Sequence, residues 1–251
     1  MSYVDLATES RKLLLEACSR ADTAVLFRTD GNIGDTLIHA GTRALLRDIQ
    51  VTEYPMRAAP YCEGPLAIVS GGGGWCRAYH DMPMYLREIE QHFDRVVVLP
   101  SSFEVASPVV VGWLQSTRAE IFVRELESQR QVSGVREVDL ALDTAFFFDY
   151  RAYMQDGRGV LKAYRTDAEK KVTGLPDKNL DISRVCADLD HWLRTIGRHE
   201  VIATDRMHVM IAAAMLEKRI VVSENCYHKV RSMADYALGS YDRIEWSAGH
   251  I

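Results

Sequence analysis

The feature that most restricts the fold is a series of short apolar, β-branched runs that do not alternate with polar residues. "LAIVSGGGG" and "RVVVLPSS" are the clearest, and amphipathic stretches such as "GDTLIHAGTRALLRD" and "MYLREIEQHFD" separate such runs. A strand without polar alternation must be covered on both faces of its sheet. Strand and helix patterns taking turns at this spacing predict parallel βαβ units. After "FFFDYRAYMQDGRG" the composition loosens, with Gly157 and Gly159 flanking Arg158, and a second, shorter series begins. It runs through "VLKAYRT", a polar stretch to "LPDKNLD", a helix at "ADLDHWLRTIG", a strand "EVIAT", a helix opening at "DRMHV", a strand "RIVVSE" and a last helix "KVRSMADYAL". The expected fold class is α/β with two Rossmann-like halves, residues 1–152 and a small 153–251, and the boundary falls near 149–158.

In such folds ligands bind outside the carboxyl ends of the strands, so residues just after each strand carry the functional expectation. The net charge of −5 and the lack of any run of like charge argue against a nucleic-acid partner. Any anion site must therefore be local. Hydrophobic residues at 47% and charged residues at 26% predict an ordered chain. The charged first stretch, "MSYVDLATESRKLLLEACSRADTAVLF", reads as neither signal peptide nor membrane anchor. Five scattered cysteines with no C-x-x-C spacing predict neither structural disulfides nor a zinc site, which fits a reducing cytoplasm. No heptad or apolar stripe indicates an oligomeric state.

Four stretches fall at predicted strand ends. In "RTDGNIGDTLI", Gly31 and Gly34 around Asn32 allow a tight turn and close backbone approach before a helix starting near Asp35, where exposed N–H groups suit an anion. A plain strand-to-helix turn capped by Asp35 is the competing reading. In "SGGGGWCR", four consecutive glycines, Gly72, Gly73 and Gly74 among them, follow a buried strand. That composition asks for torsions or proximity that side chains forbid. Arg77 and His80 lie just beyond and face either the same cleft or solvent. "EIFVRELES" ends a strand at Arg124 and starts a helix at Glu125. Arg124 suits bidentate recognition of carboxylate or phosphate, and the simpler alternative is a surface ion pair. In "ATDRMHVMIAAAM", Asp205, Arg206 and His208 stand where an apolar run becomes a helix. His208 then lies in the first turn, Arg206 adds a cation, and the apolar helix behind them makes a rigid platform.

Taken in order, "GNIGDTLI", "SGGGGW", "VVLPSSF", "FVRELES", "DLALDTAFFF", "TDRMHVMIAA" and "RIVVSENCYHKV" resemble the polysaccharide pyruvyl transferase family along nearly the full chain. The resemblance implies two Rossmann-like domains in a GT-B-like arrangement. It also implies transfer of pyruvate from phosphoenolpyruvate to sugar hydroxyls as a cyclic ketal, with no metal and no cofactor. Carried over by motif, Arg124, Arg206 and His208 would surround phosphoenolpyruvate, with the "GNIGD" loop and the "GGGG" turn on the opposite wall. Lys229 matches a lysine common after the family's last strand, with its role open. His208 is the expected general acid, because its intrinsic pKa suits proton exchange near neutrality. Asp35 or Asp205 would receive the acceptor's proton. The second half is short for a GT-B lobe, so the acceptor is expected to be a small sugar, a lipid-linked saccharide that brings the protein to a membrane surface, or a sugar bound largely by the first half. A nucleotide-sugar glycosyltransferase and a catalytically silent binding or scaffold relative are the alternatives.

Overall fold

The structure is a computed structural model that describes residues 3–76, 81–167, 174–224 and 228–251. The chain divides into two compact units. Residues 1–30 and 38–147 form the first; residues 31–37 and 148–251 form the second.

The first unit is built on a sheet of seven strands whose pairings are all parallel. They are β1 (Ala24–Arg28), β2 (Val51–Pro55), β3 (Gly64–Val69), β4 (Gly72–Trp75), β5 (Phe93–Phe103), β6 (Glu120–Val123) and β7 (Asp139–Leu140). The order is β2-β1-β3-β5-β6-β7, with β4 joined to β5 beside this path. Helices α1 (Tyr3–Cys18), α3 (Met82–His92), α4 (Pro108–Ser116) and α5 (Leu126–Val132) belong to this unit. The apolar runs of the central strands are buried, as the lack of polar alternation requires: Leu66 to Val69 and Val96 to Leu99 have almost no exposed surface.

The glycine run is a strand and not the expected turn. Gly72 pairs with Ser101 and Trp75 with Phe103, so the run continues alongside β5. Two glycines explain the composition. A Cβ on Gly71 would collide with the carbonyl oxygen of Pro100, and Gly72 has a φ of 150°, a torsion that L side chains rarely adopt. The strand delivers Trp75 into the core, where its ring stacks on Trp113 at 4.4 Å and on Phe103 at 5.1 Å.

The second unit carries a four-stranded parallel sheet in the order β11-β10-β9-β8, formed by β8 (Val160–Ala163), β9 (Val201–Thr204), β10 (Arg219–Ser223) and β11 (Ile244–Ser247). The last strand has no counterpart in the sequence reading, since "RIEWS" is short and its residues are half-buried or exposed. Helices α6 (Ile182–Val185), α7 (Leu189–Gly197), α8 (Met207–Met215) and α9 (Lys229–Ala237) complete it. In α8, Val209 to Ala213 are wholly buried, because a helix apolar on every face has no side to offer water. It lies against β9, β10, α7 and α9.

Helix α2 (Ile33–Leu45) begins two residues earlier than expected. Asn32 is the cap rather than Asp35: its Oδ1 accepts from the Gly34 N–H at 2.8 Å, and Asp35 Oδ2 accepts from the Asn32 N–H at 2.8 Å. This reciprocal arrangement satisfies two otherwise orphaned donors. The segment 31–37 groups with the second unit although it precedes β2 in the chain.

Candidate active site

At the carboxyl edge of the second sheet, β9 runs through Asp205 into α8, whose N-cap is Arg206. The Arg206 backbone N–H donates to Thr204 Oγ1 at 3.0 Å, which fixes the turn. Its side chain is 6% exposed, and burial of a guanidinium demands compensation. Asp181 supplies it in a two-pronged ion pair, accepting from Nε at 2.7 Å and from Nη2 at 2.7 Å. Asp167 adds a third bond from Nη2 at 2.8 Å and also accepts from Arg165 Nε at 2.7 Å. Burial works to raise the Asp167 pKa, but hydrogen bonds and charge from Arg165 and Arg206 outweigh it and hold the carboxyl well below the usual carboxylate range. Among the described residues, Arg206 Nε and Nη2 have hydrogen-bond partners and Nη1 has none.

His208 sits half-buried in the first turn of α8, as the sequence suggested. Gly34 lies directly against it: a Cβ on Gly34 would come within 2.5 Å of His208 Nδ1. The glycine of "GNIGD" is therefore a close-approach residue for the imidazole. The expectation that this loop lines a wall opposite His208 is corrected accordingly. A Cβ on Gly31 would strike the Asp35 carboxylate, so Gly31 makes room for the capping group. Lys229 is buried at the first position of α9.

Asp205 was expected as one of two possible bases, but it is 1% exposed. Its Oδ1 accepts from the Arg165 backbone N–H at 2.8 Å, and its Oδ2 faces His250 Nε2 at 3.7 Å. Burial raises its pKa against the opposing influence of the Arg165 N–H and the charges of Arg165, His250 and Arg206. An acceptor hydroxyl cannot reach a carboxylate so enclosed. Asp35 keeps partial access to water.

In the first unit, Arg124 follows β6 directly, and its backbone N–H donates to the Ser101 carbonyl at 3.2 Å. The side chain is 1% exposed, which corrects the alternative of a surface ion pair. Nη1 meets Asp143 Oδ2 at 2.7 Å and Nε donates to Ser102 Oγ at 2.8 Å. Asp143 Oδ1 accepts in turn from the Ala145 N–H at 2.8 Å. Glu125 is the N-cap of α5 and accepts from the Ser128 N–H at 3.0 Å. Gly72, Gly73 and Gly74 belong to this unit and border β5.

Asp143, Asp167, Asp181, Arg165 and His250 escaped the sequence reading. Asp143 belongs to "DLALDTAFFF", and Asp167 and Asp181 belong to the polar stretch that ends at "LPDKNLD". A signal existed in principle: each buried arginine requires a carboxylate partner. Arg77, His80 and Cys226 lie outside the described residues. Among the described residues no group of three or more His, Cys, Asp or Glu is placed to hold a metal ion, and no helix is long and apolar enough to cross a membrane.

The family model described as polysaccharide pyruvyl transferase matches residues 32–227, a span from the cap of α2 to beyond β10. The chain belongs to the polysaccharide pyruvyl transferase family. The match takes in the α2 cap, Arg124, Arg206, His208 and both carboxylates that hold Arg206, while His250 lies past its end. A crystal structure of an uncharacterised protein from Klebsiella pneumoniae subsp. pneumoniae is similar to this pyruvyl transferase family member with a TM-score of 0.78 and 21% identity. The similarity covers 97% of this chain and 99% of that one, and at such identity it speaks for the shared α/β fold alone. No curated protein matches the sequence.

Proposed function

We propose that this protein transfers pyruvate from phosphoenolpyruvate to two hydroxyls of a sugar in a cell-surface polysaccharide or its precursor, leaving a cyclic ketal and inorganic phosphate. The observation that carries the reading is the pairing at the start of α8 of a locked arginine, open only at Nη1, with an imidazole against which Gly34 lies. Asp181 and Asp167 offset most of the charge of Arg206, so anion binding there depends on Nη1 together with the first-turn N–H groups of α8. Lys229, at the first position of α9, would add a cation. A GT-B-like arrangement of the two units, a cytoplasmic location and a lipid-linked or small acceptor belong to the same proposal.

In this reaction a proton adds to C3 of the enol while an acceptor hydroxyl attacks C2; phosphate then leaves, and a second hydroxyl closes the ketal. His208 is the general acid. Asp35 is the better placed of the two candidate bases, because Asp205 is closed off and Asp35 is not. Positive charge beside the leaving phosphate stabilises the transition state as it becomes a free dianion.

The test is thermal stabilisation by phosphoenolpyruvate, followed by phosphate release with candidate sugars. Arg206→Ala should weaken donor binding strongly. His208→Ala should leave binding mostly intact but slow phosphate release by orders of magnitude. Equal loss of both in His208→Ala would make the imidazole a ligand contact or a fold element instead, and stabilisation by a nucleotide diphosphate sugar but not by phosphoenolpyruvate would overturn the reading.

A further inference from the structure

Two buried side-chain atoms of the second unit, Asp205 Oδ2 and His250 Nε2, have no hydrogen-bond partner among the described residues. They face each other at 3.7 Å, with the side chains 1% and 4% exposed. Orphaned buried polar atoms are rare because each forfeits its hydration, and two of them aimed at one another call for a joint explanation.

The surroundings supply it. The His250 ring stacks on Tyr164 with centroids 3.9 Å apart. His250 Nδ1 lies 3.3 Å from the Gly174 carbonyl oxygen, a group that only accepts, so Nδ1 carries a proton. In a neutral imidazole Nε2 would then present a lone pair to the carboxylate, and the contact would be repulsive. One additional proton resolves it, either on Nε2 as an ion pair or on Oδ2 as a neutral carboxyl, and in both cases it belongs to the pair. The remaining neighbours cannot replace that proton. Arg165 meets Asp205 through its backbone N–H at the other oxygen, and the charge of Arg206 acts on Asp205 without a hydrogen bond. The Ser223 and Ser247 hydroxyls are spent on the Gly249 carbonyl, at 2.9 and 2.6 Å. The Tyr164 hydroxyl accepts from the Ile251 N–H at 3.2 Å and is hydrogen-bonded to the Ser223 side chain.

We propose that Asp205 and His250 share one proton, and that this pair docks residues 248–251 on the carboxyl edge of the second sheet, with His250 as the positioning residue for Asp205. The pair stands one residue from Arg206, so the proton also fixes the turn from which α8 starts.

The consequence is a proton count that differs between folded and unfolded chains. Folded, the pair holds one proton. Unfolded, the two groups together hold one between about pH 4 and pH 6.5 and none above it. Stability from the pair is therefore full between about pH 4 and about pH 6.5 and falls as pH rises further, because the folded state binds the extra proton. Asp205→Asn imitates the protonated carboxyl: its carbonyl accepts from the Arg165 N–H, and its amide donates to Nε2 with no proton required. Denaturant unfolding of the full chain at a series of pH values from 5 to 9 provides the measurement. The folding constant of Asp205→Asn relative to the native chain should rise with pH, by up to about tenfold per unit. A ratio independent of pH would overturn the proposal, and so would a ratio that falls. His250→Phe keeps a ring on Tyr164 and leaves Asp205 without its partner, so its stability relative to the native chain must also change with pH. A constant difference across the range would show the ring to be packing alone, and would overturn the proposal even if Asp205→Asn does not fold. The measurement makes no use of phosphoenolpyruvate and stands whether or not the pyruvyl reaction does.

Discussion

The two units each place a buried arginine just beyond a strand, yet they hold it differently. Arg124 has a carboxylate of 0% exposure, Asp143, at one nitrogen and a serine hydroxyl at another. Arg206 is gripped at two nitrogens by Asp181 and shares Asp167 with Arg165, in a chain of alternating charges whose Asp167 end is 31% exposed. A pair closed to water depends heavily on its partner, whereas a partly wetted network shares the load among several groups. The first arrangement suits a fixed element; the second holds a guanidinium in place and still leaves one nitrogen open.

Removal of Asp143 should therefore have the largest effect. Asp143→Ala removes the buried carboxylate that meets Arg124 Nη1, and chemical denaturation should register a loss of about 3–5 kcal/mol. Asp181→Ala should lose less, about 1–3 kcal/mol, because Asp167 remains on Nη2 and water can approach from its side. Equal losses in the two variants would break the contrast. A third expectation concerns acid. Asp167 has its pKa held below the ordinary carboxylate range, so the stability it contributes is complete above about pH 4 and is lost as pH falls through the lower folded value. An acid unfolding limb in the native chain should be shallower in Asp167→Asn. The smallest stability change belongs to Gly34→Ala, where helix propensity gains and a side-chain collision with His208 loses. Its turnover should nonetheless fall by about a hundredfold, since displacement of a reacting group by about 1 Å costs that much. Unchanged phosphate release in Gly34→Ala would remove the imidazole from the chemistry.

Much of the architecture could be read directly. The apolar runs "LAIVS" and "RVVVL" became central strands, "ATDRMHV" turned into a strand followed by a buried helix, and the glycine run did serve close approach and an unusual torsion. Its form was misjudged, because glycines are normally poor in strands and nothing local reveals that Trp75 must reach a cluster formed with Phe103 and Trp113. The competing reading of the turn, with Asp35 as its cap, differs from the structure, where Asn32 holds that position: the two residues are joined by reciprocal bonds, and either composition fits the turn.

By itself the sequence determined which segments are apolar enough to be strands or buried helices, and which residues follow each strand at its carboxyl end. Those are properties of short windows, set by side-chain period and backbone torsion. Which carboxylate answers which cation was decided only by the tertiary structure. Asp143 lies 19 residues from Arg124, Asp181 25 residues from Arg206, and His250 reaches Asp205 from the last strand onward. Charges pair across the space that folding creates, and their separation along the chain carries no trace of it.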